Sequence, residues 1–166
     1  MAVRRVVELP DPVLWTPATP IGRVDDAALA LATDLVDTMR ASPACVGLAA
    51  PQIGVPLQAF VVDVTGHKKA RSCHGTVVLF DPVVEASEMS EVAREGCMSV
   101  PDLTGDVARA TLVKVSGITP EREHRVLEMD AFEARAVLHE MDHLDGMVFL
   151  DRVAGPHAIF SRKVYR

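Results

Sequence analysis

Hydrophobic positions along this chain change period twice. Over residues 25–41, Leu29, Ala32, Val36 and Met39 recur at three- and four-residue spacing, which predicts a helix. Asp25 or Asp26 is placed to cap its start, and Ser42-Pro43 stops it. Ahead of it, Pro10, Pro12, Pro17 and Pro20 predict an extended, turn-rich arm, because each removes a backbone donor. From residue 55 to about 129 the pattern becomes strand-like. Runs at 61–64, 77–80 and 112–115 are rich in β-branched residues, and residues 125–129 alternate polar with apolar. The intervening loop, 65–75, carries Lys68, Lys69 and Arg71 and is expected to be exposed.

Helical spacing returns over residues 131–145. Asp130 with Glu133 three residues later forms a capping-box pattern, and Gly146 suits the left-handed position past the helix end. Phe132, Ala136, His139 and His143 fall on one stripe, while Val137, Met141 and Leu144 fall on another. A helix apolar on two sides is largely buried. The expected class is α+β: antiparallel β-sheets around a buried central helix, with an outer N-terminal helix. The 166 residues fit one domain, 1–166.

Composition narrows this picture. Hydrophobic residues make up 49% and aromatics 4%, so the core must be aliphatic. A formal net charge of −6 argues against general nucleic-acid binding, which needs an electropositive face. Arg4-Arg5 and Arg162-Lys163-Val164-Tyr165-Arg166 read as solvated charged ends, with a docking tail for an anionic partner as the alternative. Three widely spaced cysteines make a poor disulfide framework. Together with the lack of a secretory apolar run they point to a reducing, cytoplasmic setting. No apolar run approaches membrane-spanning length.

The chemistry concentrates in three runs. In His139-Glu140-Met141-Asp142-His143 the two histidines are four apart and share a helix face, so they can grip one metal ion. Glu140 lies about 100° around the axis from His139. It would sit near the metal without binding it, placed to take a proton from metal-held water and return it to a leaving amine. Glu95-Gly96-Cys97-Met98-Ser99 offers a third ligand: a Cys97 thiolate suits Zn²⁺ or Fe²⁺ and would leave a fourth position for water. The Met98 N–H could point at an oxyanion. In Gly47-Leu48-Ala49-Ala50-Pro51-Gln52, small residues permit close approach of a substrate and the Gln52 amide could donate to an oxyanion. Each run has a bland alternative: histidines satisfied in a core, an inert buried cysteine, a packed turn. Together the residues reach metal-assisted hydrolysis of a carbonyl compound.

These three runs, and the chain from Leu9-Pro10-Asp11-Pro12-Val13-Leu14 to Val148-Phe149-Leu150-Asp151-Arg152, resemble the peptide deformylase family. The resemblance implies one divalent ion, Fe²⁺ in many members and Zn²⁺ or another in others. It implies Cys97, His139 and His143 as ligands, Glu140 as acid/base, and Gln52 with the Met98 N–H as oxyanion donors. The reaction implied is hydrolytic removal of the formyl group from the N-terminal methionine of nascent polypeptides, releasing formate. A transient ribosome contact is allowed, without nucleic-acid specificity or membrane attachment. By the same similarity Val46, Gly47, Glu95, Phe132 and Ala136 belong to the substrate-binding region, with Val46, Phe132 and Ala136 lining a pocket for an unbranched apolar side chain.

The chain departs from the family pattern at Cys45, where glycine usually opens the first motif, at Leu138, where glutamine is common, and at Asp102, where glycine is common. Cys45 would add bulk near the substrate entrance, and Leu138 would act through packing. Glu95 could pair with Arg109 to hold the cysteine loop, or be a plain surface carboxylate. Arg135 is either a pocket residue or a solvent-facing charge. His67 with Cys73-His74 forms a weak candidate for a second metal site, and His124 and His157 are expected to be exposed. Two readings compete with the leading one. The first is a zincin-like peptidase or a relative acting on another acyl group. The second is a binding module that keeps the fold without catalysis.

Overall fold

The computed structural model describes residues 2–163. Val164, Tyr165 and Arg166 of the basic C-terminal run lie outside the described residues. Among the described residues two α-helices, α1 (Asp26–Ala41) and α2 (Ala131–Leu144), accompany eight strands: β1 (Gly47–Ala49), β2 (Ala59–Val62), β3 (Val77–Glu88), β4 (Glu91–Cys97), β5 (Val100–Arg109), β6 (Leu112–Ile118), β7 (His124–Asp130) and β8 (Ile159–Ser161). They form a five-stranded sheet in the order β1-β2-β3-β6-β7 and a three-stranded sheet in the order β4-β5-β8. All named pairings are antiparallel. Among the described residues no helix is long and apolar enough to cross a membrane.

Strand β2 explains how the layers stack. Its four residues are all buried, yet side chains on a strand alternate between faces. Phe60 and Val62 join Leu79, Val113, Leu127, Met129 and Val137 of α2 in one cluster. Ala59 and Val61 join Leu31, Leu35 and Met39 of α1 in the other. The sheet therefore carries a helix on each face at this end, and the unbroken apolar run follows from double coverage. On α1 the buried stripe is Ala28, Leu31, Ala32, Leu35 and Met39. Ala32 and Met39 lie in the buried stripe as expected, whereas Leu29 and Val36 are only partly buried: the contact face is centred on Leu31, Leu35 and Thr38, one position earlier or two later on the helix. Asp25 caps α1 by accepting from the Ala28 N–H at 3.0 Å.

The capping box expected at α2 does not form. Asp130 makes no side-chain cap. The chain enters the helix through Ala131 with φ 47°, a left-handed residue that turns Asp130 away from the first helical N–H groups. Asp130 Oδ1 accepts from the Ser72 N–H at 2.8 Å instead. Glu133 is fully buried and accepts from Ser72 Oγ at 2.7 Å and the His74 N–H at 2.8 Å. Both acids tie loop 65–75 to the helix start.

Strands β4 and β5 were not resolved as separate elements by the apolar pattern, because β4 reads Glu-Val-Ala-Arg-Glu-Gly-Cys with much of its surface exposed. Their hairpin is regular down to Gly96↔Thr104, then shifts register so that Cys97 faces Val100. The shift delivers Cys97 to the hairpin tip, beside α2.

Candidate metal centre

Three elements meet at one point. Cys97 comes from the β4–β5 tip, and His139 and His143 come from successive turns of α2. One donor atom from each lies within 4.8 Å of the others, the one such group of three among the described residues. Cys97 and His143 are buried and His139 nearly so. Cys97 Sγ stands 3.4 Å from His143 Nε2. A tetrahedral ion bound by sulfur at about 2.3 Å and nitrogen at about 2.0–2.1 Å imposes a separation of roughly 3.5 Å. One soft thiolate and two imidazoles, in reach of one point and with room left in the adjoining cavity, fit a divalent ion of the Zn²⁺ or Fe²⁺ kind.

His139 is oriented from behind. Its Nδ1 lies 2.9 Å from Glu95 Oε1, which leaves Nε2 for the site. Glu95 is also held by Arg109 through two bonds of 2.8 and 3.0 Å and by Arg135 at 2.7 Å. Burial pushes the Glu95 carboxyl up, but hydrogen bonds from His139 and Arg109 outweigh it and hold the group at about 2. Arg109 continues to Asp142, which also accepts from Arg152. Of the two alternatives for Glu95, the buried pair with Arg109 is the one present. Arg135 is buried as well, its guanidinium committed to Glu95 and to the Val107 and Glu91 carbonyls.

Glu140 is placed differently. It is 4% exposed, and its Oε2 has no hydrogen-bond partner among the described residues. Burial, partly offset by His139, raises its carboxyl to about 7. Gly47 makes room for it: a Cβ there would lie 2.7 Å from Glu140 Oε1. Gln52 is anchored by the Ala49 N–H, which donates to its Oε1 at 3.0 Å. Its Nε2 therefore points at the centre, 3.4 Å from Cys97 Sγ and 3.1 Å from Ser99 Oγ. The two histidines differ too. Burial works against charge on His139, but Cys97 and Glu95 outweigh it and raise its pKa well above the usual value. Burial, with His139 and Arg109 adding repulsion, depresses His143 well below it.

A cavity of about 310 Å³ opens onto this centre and is lined by Val46, Gly47, Gln52, Glu95, Met98, Phe132, Ala136, His139 and Glu140. All five residues expected around the substrate are in its wall. Cys45 lines it too, with Sγ 3.1 Å from the Gly47 carbonyl, and burial pushes its thiol up to about 11. Asp102 is exposed, while Leu138 packs against the α2 core.

The second metal candidate does not assemble. His74 Nδ1 pairs with Glu133 at 2.7 Å, His67 stacks on Phe132 with centroids 3.8 Å apart, and Cys73 is exposed. His124 and His157 are exposed. Sequence reasoning missed Asp142, Ser99 and Arg162. The first two were legible as polar residues inside runs already singled out; Arg162 carried no local signal.

Taken together, the arrangement is that of a centre compatible with one divalent ion beside a buried carboxyl, Glu140, whose Oε2 has no hydrogen-bond partner among the described residues. The polypeptide deformylase family model matches residues 3–158. A peptide deformylase of Desulforudis audaxviator is 41% identical over 164 residues, covering 98% of this chain and 99% of that one. The crystal structure of the Thermotoga maritima peptide deformylase superposes with TM-score 0.84 at 31% identity, covering 93% and 100% of the two chains. A class I type b peptide deformylase from Acinetobacter baumannii, solved bound to Met-Ala-Ser, gives TM-score 0.82 at 30% identity over 92% and 99%. The chain belongs to the polypeptide deformylase family of enzymes.

Proposed function

We propose that the protein removes the formyl group from the N-terminal methionine of nascent polypeptides, using one divalent ion held by Cys97, His139 and His143. The convergence of those three donors beside an unpartnered Glu140 oxygen carries the reading. The relative bound to Met-Ala-Ser, a peptide with the product's free N-terminal methionine, supports the substrate class. A bound ion supplies Lewis acidity, polarising the formyl carbonyl and making water nucleophilic near neutral pH.

Glu140 Oε2 accepts the proton of the attacking water. With its carboxyl raised by burial to about 7, it can also give that proton to the departing amine nitrogen as the formyl C–N bond breaks. Formate and a free amino terminus result. Gln52 Nε2, held by the bond from Ala49, donates to the developing oxyanion together with the Met98 N–H. Val46, Phe132 and Ala136 receive the methionine side chain, Gly47 keeps the backbone low beside it, and Glu95 fixes one wall through His139.

The same reading takes residues 1–166 as one catalytic domain built around α2 and assigns a cytoplasmic setting with transient access to chains leaving the ribosome. It takes Fe²⁺ as the resident ion, with Zn²⁺ or another divalent ion as a substitute, since thiolate and imidazole accept several. The test is formate release from formyl-Met-Ala-Ser by metal-loaded protein, compared with acetyl-Met-Ala-Ser and an internal peptide bond. Only the formyl peptide should be cleaved well. Glu140→Ala should keep one ion per chain and lose turnover. No formate from the wild type removes the function; near-normal turnover in the variant removes the mechanism.

A further inference from the structure

Three arginines line the cavity: Arg94, Arg135 and Arg162. Two are neutralised. Arg94 bonds Asp106 at 2.7 Å and lies 3.7 Å over the Phe160 ring. Arg135 is bonded to Glu95. Arg162 has no carboxylate partner among the described residues. Its Nη2 donates to the Cys97 carbonyl at 3.2 Å, and no other described side-chain bond uses its remaining guanidinium donors.

The local fold seats that cation deliberately close to the centre. Strand β8 pairs with β5 through Leu103↔Ser161, and the Arg162 N–H then donates to the Asp102 carbonyl at 2.9 Å. The side chain lies across Gly96, where a Cβ would stand 2.5 Å from Nη2. Glycine at that position makes the seat; Arg162 is half-buried as a residue, and its bond to the Cys97 carbonyl is part-buried. A partly desolvated guanidinium with spare donors and no counter-charge is a carboxylate receptor, since its planar fork matches a carboxylate's two oxygens. It binds the carbonyl of the same residue whose sulfur belongs to the centre. An extended peptide advances about 3.3–3.6 Å per residue, so the side chains reaching Arg162 belong to the first residues after the N-terminal methionine.

We propose that Arg162 selects substrates by charge, favouring an acidic side chain at the second or third residue and disfavouring a basic one. The proposal rests on the deformylase reading above. With Arg94 paired to Asp106 and Arg135 to Glu95, Arg162 is the arginine of this wall without an acidic partner among the described residues, so an arriving carboxylate meets its charge uncompensated.

The experiment compares kcat/KM for the C-terminally amidated peptides formyl-Met-Ala-Ala, formyl-Met-Asp-Ala, formyl-Met-Ala-Asp and formyl-Met-Lys-Ala. Amidation removes the terminal carboxylate as a second source of negative charge. An exposed to half-buried ion pair of about 1 kcal/mol corresponds to roughly fivefold. The wild type should prefer one acidic peptide over the neutral one by about that factor, with the preference fading between low and high salt. Arg162→Gln should bring the ratio to about one, and Arg162→Lys should restore part of it. Equilibrium binding of the product peptides Met-Asp-Ala-amide and Met-Ala-Ala-amide should show the same ratio in the same variants. A ratio near one in the wild type, or one unchanged by Arg162→Gln, overturns the proposal. Should the variant fail to fold, a wild-type preference insensitive to salt overturns it as well. Absence of formate from the neutral peptide is the separate failure of the deformylase reading.

Discussion

His139 and His143 sit one turn apart on α2, yet the two sides of the centre they face are built on opposite plans. The His139 side is a saturated charge network in which Glu95, Arg109, Arg135, Asp142 and Arg152 satisfy one another. The other side leaves two polar atoms without a partner: His143 Nδ1 and Glu140 Oε2 are buried and unbonded among the described residues. One side fixes geometry by electrostatics, the other by packing. On the proposed mechanism the difference would assign positioning and reactivity to separate walls. A carboxylate held at about 2 by its neighbours can only orient. A carboxyl raised to about 7 by burial can exchange protons.

Substitutions on each side should therefore separate activity from stability. Glu140→Gln should cost roughly 10²–10⁴-fold in kcat, the usual weight of a positioned acid/base. Urea unfolding should find stability unchanged or higher, because burial disfavours the charge being removed. Glu95→Gln should do the reverse first, losing roughly 3–5 kcal/mol of unfolding free energy by leaving buried guanidinium groups without their counter-charge. Metal affinity in that variant should drop about 10–100-fold by competition titration, through misorientation of His139. Equal stability losses in the two variants would dissolve the contrast.

Smaller changes sharpen it on the Glu140 side. Gly47→Ala puts a methyl against Glu140 Oε1 and should lower kcat by about 10²-fold, while metal content stays at one ion per chain. Cys45 tests the apolar character of the same wall. Its thiol, raised from 9.0 to about 11 by burial, stays neutral where an unfolded cysteine has begun to ionise. Its contribution to stability is thus present below pH 9 and is lost as pH climbs from there through 11. In the native protein at pH 8, Cys45 should react with a thiol reagent roughly tenfold or more slowly than exposed Cys73.

The sequence carried most of the candidate centre because Cys97, His139 and His143 lie in short runs with fixed geometry: four-residue spacing on a helix is a spatial statement in itself. The bounds of α1 and α2 were readable for the same reason, through Asp25, Ser42 and Gly146. What escaped depended on contacts distant in sequence. Glu133 has the spacing of a capping residue, but its partners, Ser72 and His74, lie 61 and 59 residues away in loop 65–75. Arg135 was undecidable until β4 and β5 closed over it. Strands β4 and β5 lacked a clean apolar alternation because one carries the Glu95 network and both leave exposed positions. Arg162 reaches the centre only through the pairing of β8 with β5.

The central claim is that one sulfur and two imidazole nitrogens close on a single cation. X-ray absorption of the protein loaded with one equivalent of zinc measures that shell directly. The account predicts one sulfur at about 2.3 Å and two imidazole nitrogens at about 2.0–2.1 Å, with a lighter donor completing four. A shell without sulfur, or unchanged in Cys97→Ser, contradicts it.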